Sequence, residues 1–137
     1  CIASDHAGYR LKEDVKNHLI SKNISIIDLG PFSDSSVDYP IFAKKVSNRV
    51  KSKRSDKGIL ICGSGTGMAI SANKTKGIRA AVCYNLKSTK LSRQHNNANV
   101  ISLGSRLTKK ENALKMISTF LSTNFEGGRH LKRIKKI

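Results

Sequence analysis

Short apolar runs and longer amphipathic stretches alternate along this chain. Five short apolar runs are flanked by glycine, proline or polar residues, at 1–4, 24–29, 58–62, 78–83 and 99–103. Runs of this kind are typical of buried strands. Between them, apolar residues recur at helical spacing, as in Leu11, Val15 and Leu19. Strands that alternate with helices form parallel sheets covered on both faces. The pattern therefore predicts a Rossmann-like α/β fold, a three-layer α/β/α sandwich around a five-stranded parallel sheet.

Length and composition favour a single domain over residues 1–137. A chain of this length with 38% hydrophobic residues can bury a substantial core. No apolar run approaches the ~20 residues of a membrane span, and no signal peptide is recognisable, so no membrane contact is expected. Cys1, Cys62 and Cys83 are odd in number and lie in strand-like runs, which indicates free thiols in a reducing cytoplasm. Metal-ligand spacings such as Cys-x-x-Cys are absent, so no metal is expected.

The net charge of +17 has two explanations. Basic side chains can neutralise nucleic-acid phosphates, or they can cover solvated faces and attract a smaller anionic substrate. Seven of them lie within 44–57, on and just after an amphipathic helix, where solvated lysines are common. The aromatic residues are not interleaved with basic ones, as they are in a base-stacking platform. The sequence favours a solvated surface and argues against nucleic acid as a partner.

The stretch 58–67 carries the most distinctive chemistry. An apolar strand delivers Cys62 to a loop with glycine at every second position, and a helix-compatible segment follows. Such a unit presents backbone N–H groups and a helix dipole to one spot. That spot suits a phosphate, or the oxyanion formed when a proton leaves a carbon beside a carbonyl, and its field would favour a Cys62 thiolate. Cys62 could equally be a small core residue. The loop is not a P-loop, because no lysine follows its last glycine.

Chemically active side chains follow the ends of three predicted strands. Asp5 and His6 follow the first strand, Cys62 ends the third, and Arg106 follows the fifth. Ligands of parallel α/β sheets bind at the carboxyl ends of the strands, so these groups are expected to converge on one rim. Each alone is a weak signal, since Asp5 could merely cap the first helix. Their joint placement is what indicates an active site.

Nine short motifs extend along the whole chain. They are SDHAG (4–8), VDYP (37–40), GILICG (58–63), ANK (72–74), GIRA (77–80), SRQHN (92–96), ANV (98–100), GSR (104–106) and FEGGRH (125–130). In this order and spacing they resemble the ribose-5-phosphate isomerase type B family, which also contains the galactose-6-phosphate isomerase subunits.

The resemblance implies interconversion of ribose 5-phosphate and ribulose 5-phosphate through an enediol(ate), without metal or cofactor. It implies that Cys62 is the base that moves a proton between the first two sugar carbons. His95 would be an acid/base that helps to open the furanose ring, with Asp5 nearby. The loop amides would hold the developing oxyanion, at Gly63, Ser64, Gly65, Thr66 and Gly67.

The resemblance also implies a substrate pocket and an oligomer. The further substrate-binding positions are Asp5, His6, Tyr39, Asn96, Arg106, Arg129 and Arg133. The arginines would bind mainly phosphate. Members of the family are homodimers or dimers of dimers with shared active sites, and the tail at about 126–137 would dock on the partner subunit. Ser64 stands where the family usually has threonine, and Thr66 where an apolar residue is common.

Three alternative functions remain open from the sequence. A related hexose 6-phosphate, of allose or galactose, could be the substrate, because pocket depth decides that choice. The chain could instead be a basic nucleic-acid-binding module that has kept an isomerase fold. It could also be a ligand sensor that binds a sugar phosphate without turnover.

Overall fold

The computed structural model describes all 137 residues, as one unit of four strands and six helices. The strands are β1 (Ile2–Ser4), β2 (Gly58–Cys62), β3 (Ala80–Val82) and β4 (Val100–Gly104). The helices are α1 (Tyr9–Ser21), α2 (Tyr39–Lys51), α3 (Thr66–Asn73), α4 (Leu86–Asn96), α5 (Lys110–Ser122) and α6 (Gly128–Ile134). None of the helices combines the length and the apolar character needed to cross a membrane.

The strands form a parallel sheet in the order β1-β2-β4-β3. Successive side chains of a strand point to opposite faces, and β2 shows the consequence. Ile59 and Ile61 belong to one buried cluster with residues of α1 and α5, while Leu60 and Cys62 belong to a second cluster with residues of α2 and α3. Helices therefore cover both faces of the sheet in three layers. The predicted α/β class and parallel sheet are confirmed.

The prediction of five strands is wrong, because the sheet has four. The predicted second strand, 24–29, does run beside β1, where the Ile2 N–H donates to Ile27 O and the Leu29 N–H donates to Ile2 O, both at 2.9 Å. Pairing is limited to one isolated bridge, between Ile2 and Asp28. The Ile24 N–H still bonds to Leu19 O in the turn that ends α1. The ladder does not extend, because the Ser4 N–H donates to Gly30 O at 3.0 Å and the next residue, Pro31, has no N–H to return a bond to β1.

The order of the strands creates a crevice above β1 and β2. After β1 the chain passes through α1 to the outer side of the sheet, and it returns through α2, on the opposite face, to β2. This reversal is a topological switch point, where the loops after two neighbouring strands separate and leave room for a ligand. The loops in question are 5–8 after β1 and 63–65 after β2.

Close backbone contact holds the loop after β2 against the end of β4. A Cβ atom added at Gly104 would lie 2.7 Å from the carbonyl oxygen of Ser64. At that distance the loop must move, because the obstacle is backbone. Glycine at position 104 therefore allows the loop after β2 to lie in direct contact with β4.

We expect Gly104→Ala to lower the free energy of unfolding by about 1–3 kcal/mol, the usual cost of forcing an extra carbon into a packed site. Urea denaturation followed by circular dichroism measures this change. Ser105→Ala is the matched control, since it loses only the hydrogen bond from Ser105 Oγ to Ala7 O, worth about 1 kcal/mol. A Gly104→Ala protein as stable as the wild type would contradict the proposed contact.

Candidate active site

Cys62 ends β2 with its sulfur under the glycine loop. The N–H of Gly65 points at Cys62 Sγ across 3.1 Å. Gly65 has φ +81°, in the left-handed region that favours glycine, and this conformation leads the chain from the loop into α3. Cys62 is only 5% exposed and also contacts the core beneath α2 and α3. Cys62 therefore lies at the boundary between the core and the loop.

Comparison with Cys83 separates the two interpretations of a buried cysteine. Cys83 is 1% exposed, and its sulfur faces acceptors, Ala81 O at 3.7 Å and the Ser92 hydroxyl at 3.9 Å. Burial raises the pKa of Cys83, so this thiol is an inert core group. Cys62 instead receives a backbone N–H donor, which stabilises negative charge on sulfur. Of the two buried cysteines, only Cys62 has a backbone N–H aimed at its sulfur.

The loop after Cys62 forms the expected strand–loop–helix unit. Gly65 precedes α3, and no side chain caps the N-terminus of that helix. Ser64 and Thr66 are exposed, and the Thr66 N–H bonds to Ser64 Oγ at 3.3 Å. Beneath the loop, the buried Ser102 hydroxyl donates to Gly65 O at 2.6 Å and anchors it to β4. The first turn of α3 thus opens toward the crevice, an arrangement that binds anions.

Two larger side chains pack on the glycines of this loop. A Cβ at Gly67 would lie 2.9 Å from Tyr39 Cζ, so the Tyr39 ring rests directly against the loop. A Cβ at Gly63 would lie 3.3 Å from Arg106 Nη1, so the Arg106 guanidinium covers the other side. The absence of side chains at both glycines permits these contacts. Tyr39 and Arg106 therefore lie against the loop that follows Cys62.

Asp5 and His6 border the same crevice. The Asp5 N–H bonds to Ile61 O at 3.1 Å, which places the residue next to the end of β2. Its buried carboxylate accepts from the Gly8 N–H at 2.9 Å, in the turn before α1. Asp5 therefore closes the turn before α1 and does not cap the helix itself, whose N-cap residue is Gly8 without a side-chain cap. His6 is exposed, and its Nδ1 accepts from the Val37 N–H at 3.3 Å.

The remaining predicted site residues lie elsewhere in the protomer. His95 and Asn96 end α4, next to the amino ends of the strands. The side chain of Arg79, just before β3, donates to Asn96 O at 3.0 Å, and the Gly58 N–H at the start of β2 donates to Asn99 O at 2.9 Å. Cys62 stands at the other end of β2, and a five-residue strand spans about 13 Å at ~3.3 Å per residue.

The structure consequently divides the predicted residues into two groups. The carboxyl edge of the sheet holds Asp5, His6, Tyr39, Cys62, 63–67 and Arg106. The end of α4, with the adjoining α6, holds His95, Asn96, Arg129 and Arg133. The first group we call the thiol half-site and the second the histidine half-site.

Helix α6 and the residues just before it pack on α4 of their own chain. Glu126 and His130, which the sequence analysis did not select as site residues, contact His95, which it did. The ring of His130 stacks on that of His95, with centroids 4.2 Å apart and planes 8° apart. Glu126 Oε2 lies 3.9 Å from His95 Nε2 and 3.7 Å from His130 Nε2. Gly127, with φ +68° and ψ −136°, makes the turn that only glycine adopts readily. The sequence feature that could have indicated this contact is the spacing of four residues between Glu126 and His130, which places both on one side of a helical turn.

Burial, followed by the charges of His95 and Arg129, lowers the pKa of His130 below its ordinary value, and Glu126 acts in the opposite direction. The ligand atoms of His95, Glu126 and His130 all lie within 4.8 Å of one another, close enough to suggest a metal centre. The near-parallel ring planes do not suit one, because a single ion cannot lie in the planes of two stacked imidazoles. The geometry fits a stacked pair.

A thiol beneath an amide-lined loop, at the switch point of a parallel sheet, defines an α/β enzyme that handles a small anionic substrate. The family model described as Ribose/Galactose Isomerase matches residues 1–137. The chain belongs to this family of isomerases.

Individual relatives agree with this family. The chain is 50% identical to the probable ribose-5-phosphate isomerase B of Mycoplasma genitalium, over 99% of this chain and 91% of the relative. It is 44% identical to the ribose-5-phosphate isomerase B of Escherichia coli K12, over 97% and 89%. Among solved structures, a ribose 5-phosphate isomerase from Thermotoga maritima superposes with a TM-score of 0.97 at 52% identity, covering 98% of this chain and 93% of that one. The Mycoplasma genitalium enzyme with bound ribulose-5-phosphate gives 0.93 at 47%, covering 98% and 90%.

Proposed function

We propose that this protein interconverts ribose 5-phosphate and ribulose 5-phosphate through an enediol(ate), with Cys62 as the base and without metal or cofactor. The observation that carries the proposal is the Gly65 N–H aimed at Cys62 Sγ, under an anion-binding loop at the switch point. The names of the relatives support this substrate. The free thiols Cys1, Cys62 and Cys83 accord with a reducing cytoplasm.

The proton transfer follows from the position of the sulfur. The Cys62 thiolate removes the C2 proton of the open-chain aldehyde, and the electron pair moves into a C1–C2 double bond while O1 becomes negative. Backbone N–H groups of the loop 63–67 stabilise that oxyanion, at roughly 3 kcal/mol per donor. The Cys62 thiol then returns the proton to C1 while the O2 proton passes to O1, which leaves the ketone at C2.

The histidine half-site has two roles in the proposed reaction, namely opening of the sugar ring and binding of the phosphate. A closed furanose has no carbonyl to acidify the C2 proton, so His95 assists ring opening as acid and base. Asp5, which belongs to the thiol half-site, comes near His95 only where the two half-sites meet. Arg129 and Arg133 are exposed and four residues apart on α6, a spacing that places both on one helical face. Planar guanidinium groups clamp phosphate, and Arg106 adds a third on the thiol side.

Both half-sites must act on one substrate, yet they lie at opposite ends of β2 in a single protomer. We therefore propose a homodimer, or a dimer of dimers, in which the histidine half-site of one protomer covers the thiol half-site of its partner. In a symmetric dimer this arrangement occurs twice. Exposed apolar side chains are available for such an interface, among them Ile70, Tyr84 and Leu86. The tail 126–137, packed on its own α4, would reach the partner together with His95.

Subunit complementation tests the shared site. Cys62→Ala and His95→Asn proteins should each be nearly inactive, and a mixture refolded together should recover about a quarter of wild-type activity, because half of the dimers are mixed and each contains one intact site. Turnover of ribose 5-phosphate measures the recovery, and native mass spectrometry verifies exchange. A mixed dimer without activity would indicate that each site forms within one chain.

Substrate identity is tested by comparing turnover of ribose 5-phosphate with that of allose 6-phosphate and galactose 6-phosphate. The proposal predicts the highest kcat/KM for ribose 5-phosphate. A higher value for either hexose phosphate would identify that hexose phosphate as the substrate instead. Salt-dependent retention on DNA or RNA without isomerase activity would instead favour a nucleic-acid-binding module. Binding of ribose 5-phosphate with no product, unchanged in Cys62→Ala, would identify a sensor.

A further inference from the structure

The stacked pair His95–His130 presents two imidazoles to one carboxylate. Their rings lie face to face at 4.2 Å, and Glu126 Oε2 is at nearly equal distance from both Nε2 atoms. Two imidazolium rings at this separation repel each other, so the pair holds one proton much more readily than two. The chemical question is which ring carries that proton.

The surroundings of the two rings differ. His95 lies in the last turn of α4, where the helix dipole favours a positive charge. His130 is 7% exposed and has Arg129 and Arg133 on its own helix. The other cation in the last turn of α4, Arg93, directs its guanidinium to Thr123 O and Ala98 O. Burial and neighbouring positive charge therefore lower the pKa of His130 and favour its neutral form. The His95 side chain is 38% exposed and that of His130 is 9% exposed, so His95 is the ring that can reach a substrate.

The backbone fixes both partners of His95. The Glu126 N–H donates to Gln94 O at 3.1 Å, which ties the carboxylate-bearing residue to the last turn of α4. The His130 N–H donates to Gly127 O at 3.0 Å, in the turn that begins α6. Glu126 is thus attached to the helix end that carries His95, and the turn at Gly127 brings His130 to the same place, where its ring stacks on that of His95.

We propose that His130 and Glu126 are positioning residues for His95. The His130 ring supports the His95 imidazole face to face, and the Glu126 carboxylate holds the shared proton on the pair for delivery to the sugar ring. This inference rests on the proposed role of His95 in ring opening. Neither residue touches the reacting carbons, and neither was selected from the sequence.

Replacing His130 by alanine or by phenylalanine tests whether a stacked ring supports the His95 imidazole. His130→Ala should lower kcat roughly 10- to 100-fold, the scale for a misplaced catalytic group, while His130→Phe keeps a stacking ring and should retain most of the activity. Proton NMR of His95 provides a readout that does not need turnover, because the ring-current shift of its C–H protons should persist in His130→Phe and disappear in His130→Ala. The control is His18→Ala, which removes a histidine that bonds to the Ser118 hydroxyl on α5, away from His95, and should change neither measurement.

Glu126→Gln tests the carboxylate. A negative charge about 4 Å away stabilises the protonated pair, so its removal should shift the limb of the kcat–pH profile that depends on the histidines to lower pH, by roughly half a unit. KM should change little, because the phosphate arginines are intact. An unchanged limb would overturn the role of Glu126.

The outcomes separate this inference from the proposed function. A wild-type protein that does not turn over ribose 5-phosphate would refute the function, while the NMR signature would still test the stack. An active wild type in which His130→Phe is as impaired as His130→Ala would overturn the supporting role of His130. So would a His95 ring-current shift that persists in His130→Ala.

Discussion

Replacing Cys62 by alanine should lower kcat for ribose 5-phosphate at least about a hundredfold, the lower end expected when a general base is removed. Alanine removes the proton acceptor but leaves the glycine loop and its backbone donors in place. Substrate binding, measured by calorimetry, should persist, because the phosphate and sugar contacts involve other residues. The fall should therefore appear in kcat, with KM little changed.

Cys83→Ala is the matched control for that experiment. It also removes a buried thiol, so it has a comparable cost in packing. Its sulfur faces a carbonyl and a hydroxyl on the sheet face opposite Cys62, and its loss should leave kcat within a small factor of the wild type. Equal losses in the two variants would mean that Cys62 acts through stability alone.

Removing the α6 arginines should give the second large effect. Arg129→Ala and Arg133→Ala should each lower kcat/KM roughly 10- to 100-fold, because each loses charge-assisted hydrogen bonds to phosphate. The main change should be in KM, and inhibition by inorganic phosphate should weaken in parallel. Steady-state kinetics with and without inorganic phosphate measures both.

Lys132→Ala and Lys135→Ala are the controls for the arginine variants. Both remove an exposed positive charge from the same segment, so they reproduce any loss of general electrostatic attraction. We expect less than a threefold change from either. If the lysine variants match the arginine variants, the helix attracts the substrate by its net charge, and the bidentate clamp is refuted.

The sequence predicted the thiol half-site well because its positions follow from strand ends. In a parallel sheet the carboxyl ends share one edge, so locating the strands places Asp5, Cys62 and Arg106 together. The glycine spacing of the loop then marks where backbone amides face a ligand. Tyr39 could be assigned only by family resemblance, since its contact with Gly67 joins α2 to α3 across the fold.

Other features depended on information that local patterns do not carry. The run 24–29 has the composition of a strand, but a ladder with β1 stops at Gly30, because Pro31 has no N–H to donate. The separation of His95 from Cys62 depends on which end of α4 carries the histidine and on the length of β2. The contact of His130 with His95 depends on the turn at Gly127.

Successive side chains of β2 point to opposite faces of the sheet, and this has a consequence for protein engineering. Cys62 belongs to the packed layer that includes Val46 and Met68, whereas the layer beneath α1 and α5 has no contact with the sulfur. Volume changes on the Cys62 side would displace the reactive atom even where the protein remains fully folded. The α1 side of the opposite layer is therefore the place to seek thermostabilising mutations, because the sheet separates it from the sulfur, and it is α5 that packs on α4, the helix that carries His95.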